Sequence, residues 1–357
     1  MRQATVYIDQ EALQYNLNRV KQLAPTAKIV SMVKANAYGH GVKDCLAALK
    51  NSDAFGVACL EEALEIRELG FEQPITLIEG VFSEDEMQVA VDQSIEVIVH
   101  HQVQLDWLRA HQAAYIGKKL KVWVKLNSGM NRLGFKVPEI IDVIHRLKAD
   151  GFTCVLAMHF ANADAEQHPL NDQQREQFLQ VKTACAPILA SCCNSAAIYK
   201  WPELHFDFVR PGIMLYGASP FADRSVHQLD LKPVMRFSAE IIALNTIQAG
   251  ESVGYGSLYV ADKTTNLAIV SIGYGDGYPR AFPQPNFVAI QQQMVPVVGR
   301  VAMDMIAIDV TGLDAPIGTE VELWGPNRLV DDVAEANGTI GYELLCRMSA
   351  RPQRKII

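Results

Sequence analysis

Short apolar runs alternate with longer amphipathic segments over the first 235 residues, a rhythm that predicts repeated strand and helix units around a parallel sheet. Eight runs qualify as strands: 28 to 35 (KIVSMVKA), 54 to 60 (AFGVACL), 74 to 80 (PITLIEG), 95 to 100 (IEVIVH), 119 to 126 (KLKVWVKL), 153 to 160 (TCVLAMHF), 188 to 194 (ILASCCN) and 206 to 210 (FDFVR). Helix-like segments lie between them. The stretch 61 to 69 (EEALEIREL) stops at Gly70, and 138 to 149 (PEIIDVIHRLKA) opens on Pro138 and ends before Gly151. Ahead of the first strand, Asp9 is an N-cap-type residue, and Leu13, Leu17, Val20 and Leu23 share one face of an extra helix. So many strands with interleaved helices fit a closed (β/α)8 TIM-type barrel better than an open doubly wound sheet.

Beyond about residue 235 the pattern changes. SAEIIALNTI, NLAIVSIGYG, VPVVGRVAMDMIAIDV and TEVELWG are β-like and are separated by Gly, Pro and Asp turns. They predict a mainly β C-terminal domain over 236–357, after a barrel domain over 1–235, with the linker near 230 to 236 (DLKPVMR). Further helices are expected to start near Asp331 and near Tyr342.

Composition narrows the function classes. Hydrophobic residues at 49% and charged residues at 20% describe a globular chain, so no long disordered segment is expected. With 32 Lys+Arg against 40 Asp+Glu, net charge −8, and no dense basic cluster, nucleic acid is a poor partner. The N-terminus MRQATVYIDQ has no apolar run of the secretory kind and no membrane-spanning segment follows, which predicts the cytoplasm and no membrane partner. Seven scattered cysteines without a C-x-x-C (45, 59, 154, 185, 192, 193, 346) read as buried, reduced thiols; a disulfide framework is the alternative.

In a barrel of this type the site lies at the carboxyl ends of the strands, where packing alone would not call for polar residues. Lys34 ends the first strand, Lys125 the fifth, His159 the sixth, Asn194 and Ser195 the seventh, and Arg210 the eighth. A lysine desolvated at a strand end offers a neutral amine for Schiff-base chemistry, although a lysine snorkelling to water would occupy the same position. Ser195 and the run Arg210-Pro211-Gly212-Ile213 could cradle a phosphate, or be no more than an N-cap and a turn. GYGDGYPR (273 to 280) lacks the Lys-Ser/Thr of a P-loop and reads as a turn. The spacing of His159, Asp164, Glu166 and His168 fits no zinc pattern, so no metal is predicted.

VKANAYGHG (33 to 41), LNSGMNRLGF (126 to 135), NSAA (194 to 197), FVRPGIMLYGASP (208 to 220), VGYG (253 to 256), GYGDGYPR, VGRVAMDM (298 to 305) and TIGYELLC (339 to 346) together resemble the alanine racemase family, in order and from one end of the chain to the other. The resemblance implies an isomerase that interconverts L- and D-alanine with pyridoxal 5'-phosphate, for peptidoglycan or for alanine catabolism. It also implies a head-to-tail homodimer with shared active sites. Lys34 matches the lysine that carries the cofactor as a Schiff base and serves as one of two bases; Tyr255 matches the other, supplied by the partner subunit. Arg210 matches the arginine that faces the pyridine nitrogen, a group that does not give up its proton. His159 matches the histidine between that arginine and the tyrosine, and Asn194 joins this cofactor-binding set.

By the same resemblance, Ser195, Gly212, Ile213, Tyr38 and Tyr342 hold the phosphate, while Arg132 and the Met303 backbone, with Asp304 beside it, contact the substrate carboxylate. Lys125 matches a lysine that is often carbamylated and positions Arg132; an ordinary lysine paired with a carboxylate is the alternative. Two other readings stay open: a broad-specificity racemase or amino-acid decarboxylase built on the same barrel, and a non-catalytic barrel that binds the cofactor. The broad-specificity racemase usually looks secreted and disulfide-bearing, which this chain does not, and the non-catalytic barrel would lack the domain that carries Tyr255 and Met303.

Overall fold

Strands that are apolar along their whole length need cover on both faces, and a ring of helices around a closed parallel sheet provides it. The computed structural model describes residues 4–357 and contains such a barrel. After a first strand β1 (Thr5–Ile8), the barrel strands are β2 (Lys28–Met32), β3 (Ala54–Val57), β4 (Ile75–Leu77), β5 (Ile95–Val99), β6 (Lys121–Lys125), β7 (Thr153–Ala157), β8 (Leu189–Ser191) and β9 (Phe208–Val209). They pair in parallel in chain order, with β9 against β2. The ring is completed between β8 and β9 by the Asp207 amide on the Ala190 carbonyl (3.2 Å) and the Arg210 amide on the Cys193 carbonyl (2.9 Å). All eight strands coincide with runs read from the sequence.

Inside the ring, Val30, Ala54, Ile98, Trp123, Val155, Ala157 and Phe208 form a buried cluster, with the Trp123 and Phe208 rings 5.0 Å apart. This cluster is a packed floor. Everything polar on the inward faces must therefore sit above it, at the carboxyl ends, or below it, where Glu96 accepts from Lys121 (2.7 Å) and from the Trp123 indole (2.8 Å).

The second unit is an antiparallel β structure built on the long strand β10 (Met235–Ile247), which pairs with β13 (Thr265–Val270), β17 (Glu320–Trp324) and β1. A short hairpin, β11 (Ser252–Val253) and β12 (Tyr259–Val260), projects from it. The remaining strands are β14 (Phe287–Ile290), β15 (Gln293–Val298), β16 (Ile306–Asp309) and β18 (Gln353–Ile356). The short helices Val330–Ala336 and Gly341–Cys346 follow where expected. One assignment needs correction. Residues 5–8 pair antiparallel with β10 (Val6 opposite Phe237) and parallel with β18, so the β unit takes in the start of the chain and a cut at 235 alone leaves that strand out. Four residues whose partners lie more than two hundred positions away carry no local sign of that pairing.

The extra helix is Gln10–Leu23, capped by Asp9, which accepts the Ala12 amide at 2.8 Å. Its buried Asn16 donates to the carbonyls of Leu215 and Lys232, tying the helix to the segment that follows the last barrel strand. The cysteines are unpaired, as expected, but they are not all buried: Cys59 is half-buried and Cys346 is exposed at the rim of the barrel mouth.

Candidate active site

Alternation along a strand decides which side chains reach the barrel mouth. Val30, Trp123, Ala157 and Phe208 belong to the inner floor, and stepping by two from each toward the carboxyl end leads to Met32 and Lys34, Lys125, His159 and Arg210. These residues meet in one cavity of about 650 Å³. Every site residue expected from the sequence lines it except Tyr255, Met303 and Asp304.

Lys34 stands at the start of an unusual turn. Ala35, Asn36, Ala37 and Tyr38 all have φ of +52 to +53°, a left-handed helical turn built without a glycine. For L-residues that conformation costs roughly 1–2 kcal/mol each, so it persists only where its surroundings hold it. The holders are visible: Glu62 accepts the Ala35 amide at 2.6 Å, Asn36 Oδ1 accepts the Val42 amide at 2.8 Å, and buried His40 bonds through Nδ1 to the Tyr38 carbonyl at 3.0 Å. Arg354 adds a bond to the Gly39 carbonyl at 2.7 Å.

Charge in the cavity is unbalanced toward the positive. Lys34, Lys125, Arg132 and Arg210 converge, and no carboxylate lies within ion-pair distance of any of them among the described residues. Burial, and then the neighbouring Arg210, Arg132 and Lys34 charges, push the Lys125 ammonium well below its usual range. Burial first, and then the charges of Lys125, Arg210, Arg132 and Lys34, hold the His159 imidazole well below its ordinary pKa, so it is neutral. Asn194 uses its Oδ1 to accept the Ala197 amide at 3.1 Å and so turns its Nδ2 to His159 Nε2 at 3.4 Å, which leaves the imidazole proton on Nδ1. Arg210 is anchored by donating to Ser191 Oγ at 2.5 Å and to the Met158 carbonyl at 2.6 Å.

The opposite wall is a cradle. Buried Ser195 accepts the Gly212 amide at 2.9 Å, while its own hydroxyl hydrogen has no acceptor among the described residues. A Cβ on Gly212 would stand 2.4 Å from the Tyr38 hydroxyl, so glycine keeps that space open. Burial raises the Tyr38 and Tyr342 phenols far above their usual range, which keeps both as donors. A hydroxyl hydrogen free to donate, two protonated phenols and a hollow kept open by glycine beside several cations suit a small anionic group such as a phosphate.

The other three expected residues lie on the β unit. Tyr255, between Gly254 and Gly256 (φ +71 and +75°), is 72% exposed, and Met303 is 52% exposed. Asp304 pairs with Arg351 at 2.6 Å, and Arg351 also reaches buried Asp276. The GYGDGYPR turn braces this segment: the Gly275 amide donates to the Met303 carbonyl at 2.9 Å. Sequence reasoning missed Glu62, Ser191 and Cys346. Glu62 looks like any acid in the first turn of a helix, and Ser191 like a small core residue, so neither leaves a local signal.

Comparison with known proteins agrees with the two-part fold. Residues 8–220 match the family model described as alanine racemase, N-terminal domain, and residues 234–356 the one described as alanine racemase, C-terminal domain. The alanine racemase of Psychrobacter sp. (strain PRwf-1) is 48% identical, with all of both chains covered. Among solved structures, alanine racemase from Acinetobacter baumannii superposes with a TM-score of 0.99 at 75% identity, covering all of both chains. Alanine racemase from Bartonella henselae, described with covalently bound pyridoxal phosphate, superposes at 0.89 with 29% identity over the full length of both.

Proposed function

The chain belongs to the alanine racemase family and interconverts L-alanine and D-alanine; we propose that it does so with pyridoxal 5'-phosphate held on Lys34, moving the α-proton between Lys34 on one face of Cα and Tyr255 of a partner subunit on the other. One observation carries this reading: the cavity that holds Lys34 has the cations and cradle for two anionic groups, while Tyr255 is not among its lining residues and stands exposed on the β unit. Inverting a stereocentre needs a proton removed from one face and delivered to the other, which two separate bases supply. The covalently bound cofactor of the Bartonella henselae relative supports the choice of cofactor.

When bound, pyridoxal phosphate supplies an electron sink that makes the α-proton of an amino acid removable. The chain's own residues do the rest. Ser195, Tyr38, Tyr342 and the backbone of Gly212 and Ile213 hold the phosphate, and Asn194 keeps His159 in its neutral tautomer. Arg210, fixed by Ser191 and the Met158 carbonyl, faces the pyridine nitrogen with a group that keeps its own proton. Neutral His159, with its Nε2 taken by Asn194, keeps its Nδ1–H free to donate to the Tyr255 oxygen of the partner subunit. Arg132, with the Met303 amide and Asp304 of the partner subunit, receives the substrate carboxylate.

Lys125 is carbamylated in this reading. Its lowered pKa keeps a share of the amine neutral and able to add carbon dioxide with loss of a proton to solvent, and the resulting carbamate would give Arg132 an anionic partner. The enzyme works as a head-to-tail homodimer in the cytoplasm and supplies D-alanine for peptidoglycan or serves alanine catabolism; the unpaired thiols support that address. Borohydride treatment of the loaded enzyme followed by peptide mass analysis should place a reduced cofactor adduct on Lys34 and none in Lys34→Ala. An adduct on another lysine would overturn the assignment.

A further inference from the structure

Glu62 has no catalytic task in this scheme, yet it lines the cofactor cavity. Its two oxygens are both used on backbone amides: Oε1 accepts from Ala35 at 2.6 Å and Oε2 from Ala58 at 2.8 Å. Among the described residues no lysine or arginine lies within ion-pair distance of it. Ala58 follows β3, and Ala35 is the first of the four left-handed residues that come directly after Lys34. One carboxylate thus bridges two neighbouring strand ends at the point where the backbone turns into a disfavoured conformation.

We propose that Glu62 is a positioning residue for Lys34: by accepting the Ala35 and Ala58 amides it locks the left-handed turn and sets where the Lys34 amine stands in the barrel mouth. The inference rests on Lys34 being the cofactor-bearing lysine. A carboxylate suits this task because it is acceptor-only on both oxygens. Glutamine, equal in size, would turn one of those oxygens into an N–H donor facing a backbone N–H, so one strut is lost without a cavity being made. Alanine at 35 is part of the strain; glycine there adopts positive φ freely.

The test compares wild type, Glu62→Gln, the double variant Glu62→Gln with Ala35→Gly, and Glu61→Gln, a change at the exposed neighbouring acid. Five quantities are measured: the melting temperature, the cofactor dissociation constant of cofactor-stripped protein, kcat and KM per loaded site, and the site of the borohydride adduct. Glu62→Gln should still carry the adduct on Lys34, with cofactor affinity and kcat each reduced about tenfold or more and KM for alanine within about threefold, since a reacting group displaced by about 1 Å can cost 10²-fold. The double variant should recover part of the kcat loss, and Glu61→Gln should match wild type. Cofactor affinity and kcat within about twofold of wild type in Glu62→Gln, or a fall in melting temperature alone, would overturn the positioning role. So would a double variant no better than the single one. If Glu62→Gln does not fold, the double variant measured against Ala35→Gly alone decides by the same criteria. An adduct absent from Lys34 in the wild type would instead sink the assignment of the lysine, which separates the two failures.

Discussion

The barrel mouth and the exposed edge of the β unit present opposite solutions to carrying reactive groups. In the mouth, Lys34, Lys125, His159 and Arg210 stand at strand ends above a packed floor, with Arg210 and His159 held by hydrogen bonds, and the cavity is preformed. On the β unit, Tyr255 sits between two glycines in a hairpin loop, open to solvent, and Met303 is braced from behind but uncovered in front. The pocket is rich in cations, and the exposed Tyr255 is not among the residues that line it. They do not meet within one chain, which is why the account places them together across two copies.

The first way to break this comparison is to remove the phenol hydroxyl alone. Tyr255→Phe should cut racemization by about 10²–10⁴-fold, the range for loss of a general acid or base, while the adduct on Lys34 and the melting temperature stay unchanged. Exchange of the α-hydrogen should become unequal between L- and D-alanine. Equal residual exchange from both enantiomers would argue that Tyr255 serves neither face preferentially.

A smaller effect is expected inside the mouth. With carbon-13 bicarbonate, the wild type should show a carbamate resonance that Lys125→Ala lacks. Without that anion to anchor Arg132, KM for alanine should rise roughly tenfold, the scale of one charge-assisted hydrogen bond. A wild-type spectrum with no carbamate at saturating bicarbonate would remove the modification from the account.

The smallest effect concerns the joint between the two regions. Asp331, on the helix Val330–Ala336, accepts the Ser219 amide at 2.9 Å, and burial, with Asp332 adding to it, pushes its carboxyl up to about 6. Because the native state binds this proton more tightly than the unfolded chain does, the group favours folding below about pH 4. That contribution is lost as pH rises through about 6. Asp331→Asn keeps an acceptor for Ser219 and should therefore gain on the order of 2 kcal/mol of stability near pH 8 and nothing near pH 4. Equal melting temperatures at both would show that the joint is better solvated than the structure implies.

Much of the mouth was legible beforehand because a charged residue at the end of an apolar strand breaks the pattern it terminates. Lys34, Lys125 and Arg210 stand out in this way, and the eight strands were found by the same runs. The turn after Lys34 was not legible: Ala-Asn-Ala-Tyr contains no glycine, and its left-handed course is held by Glu62 and Arg354 from elsewhere in the chain, with His40 beside it. For the same reason the place of residues 5–8 in the β unit stayed hidden, since long-range pairing leaves no period to read. Tyr255 was legible only by resemblance, as nothing in a short exposed loop marks a tyrosine as a base.

The sharing of the site between two copies is tested most directly by mixing inactive subunits. Lys34→Ala and Tyr255→Phe homodimers, each purified and then allowed to exchange, should form hybrids in which one of the two sites has both intact bases. At random pairing, activity should return to about a quarter of the wild-type level in proportion to hybrid formed. No recovery, with hybrid dimers demonstrated by mass, would mean that both bases act within one chain and would contradict the account.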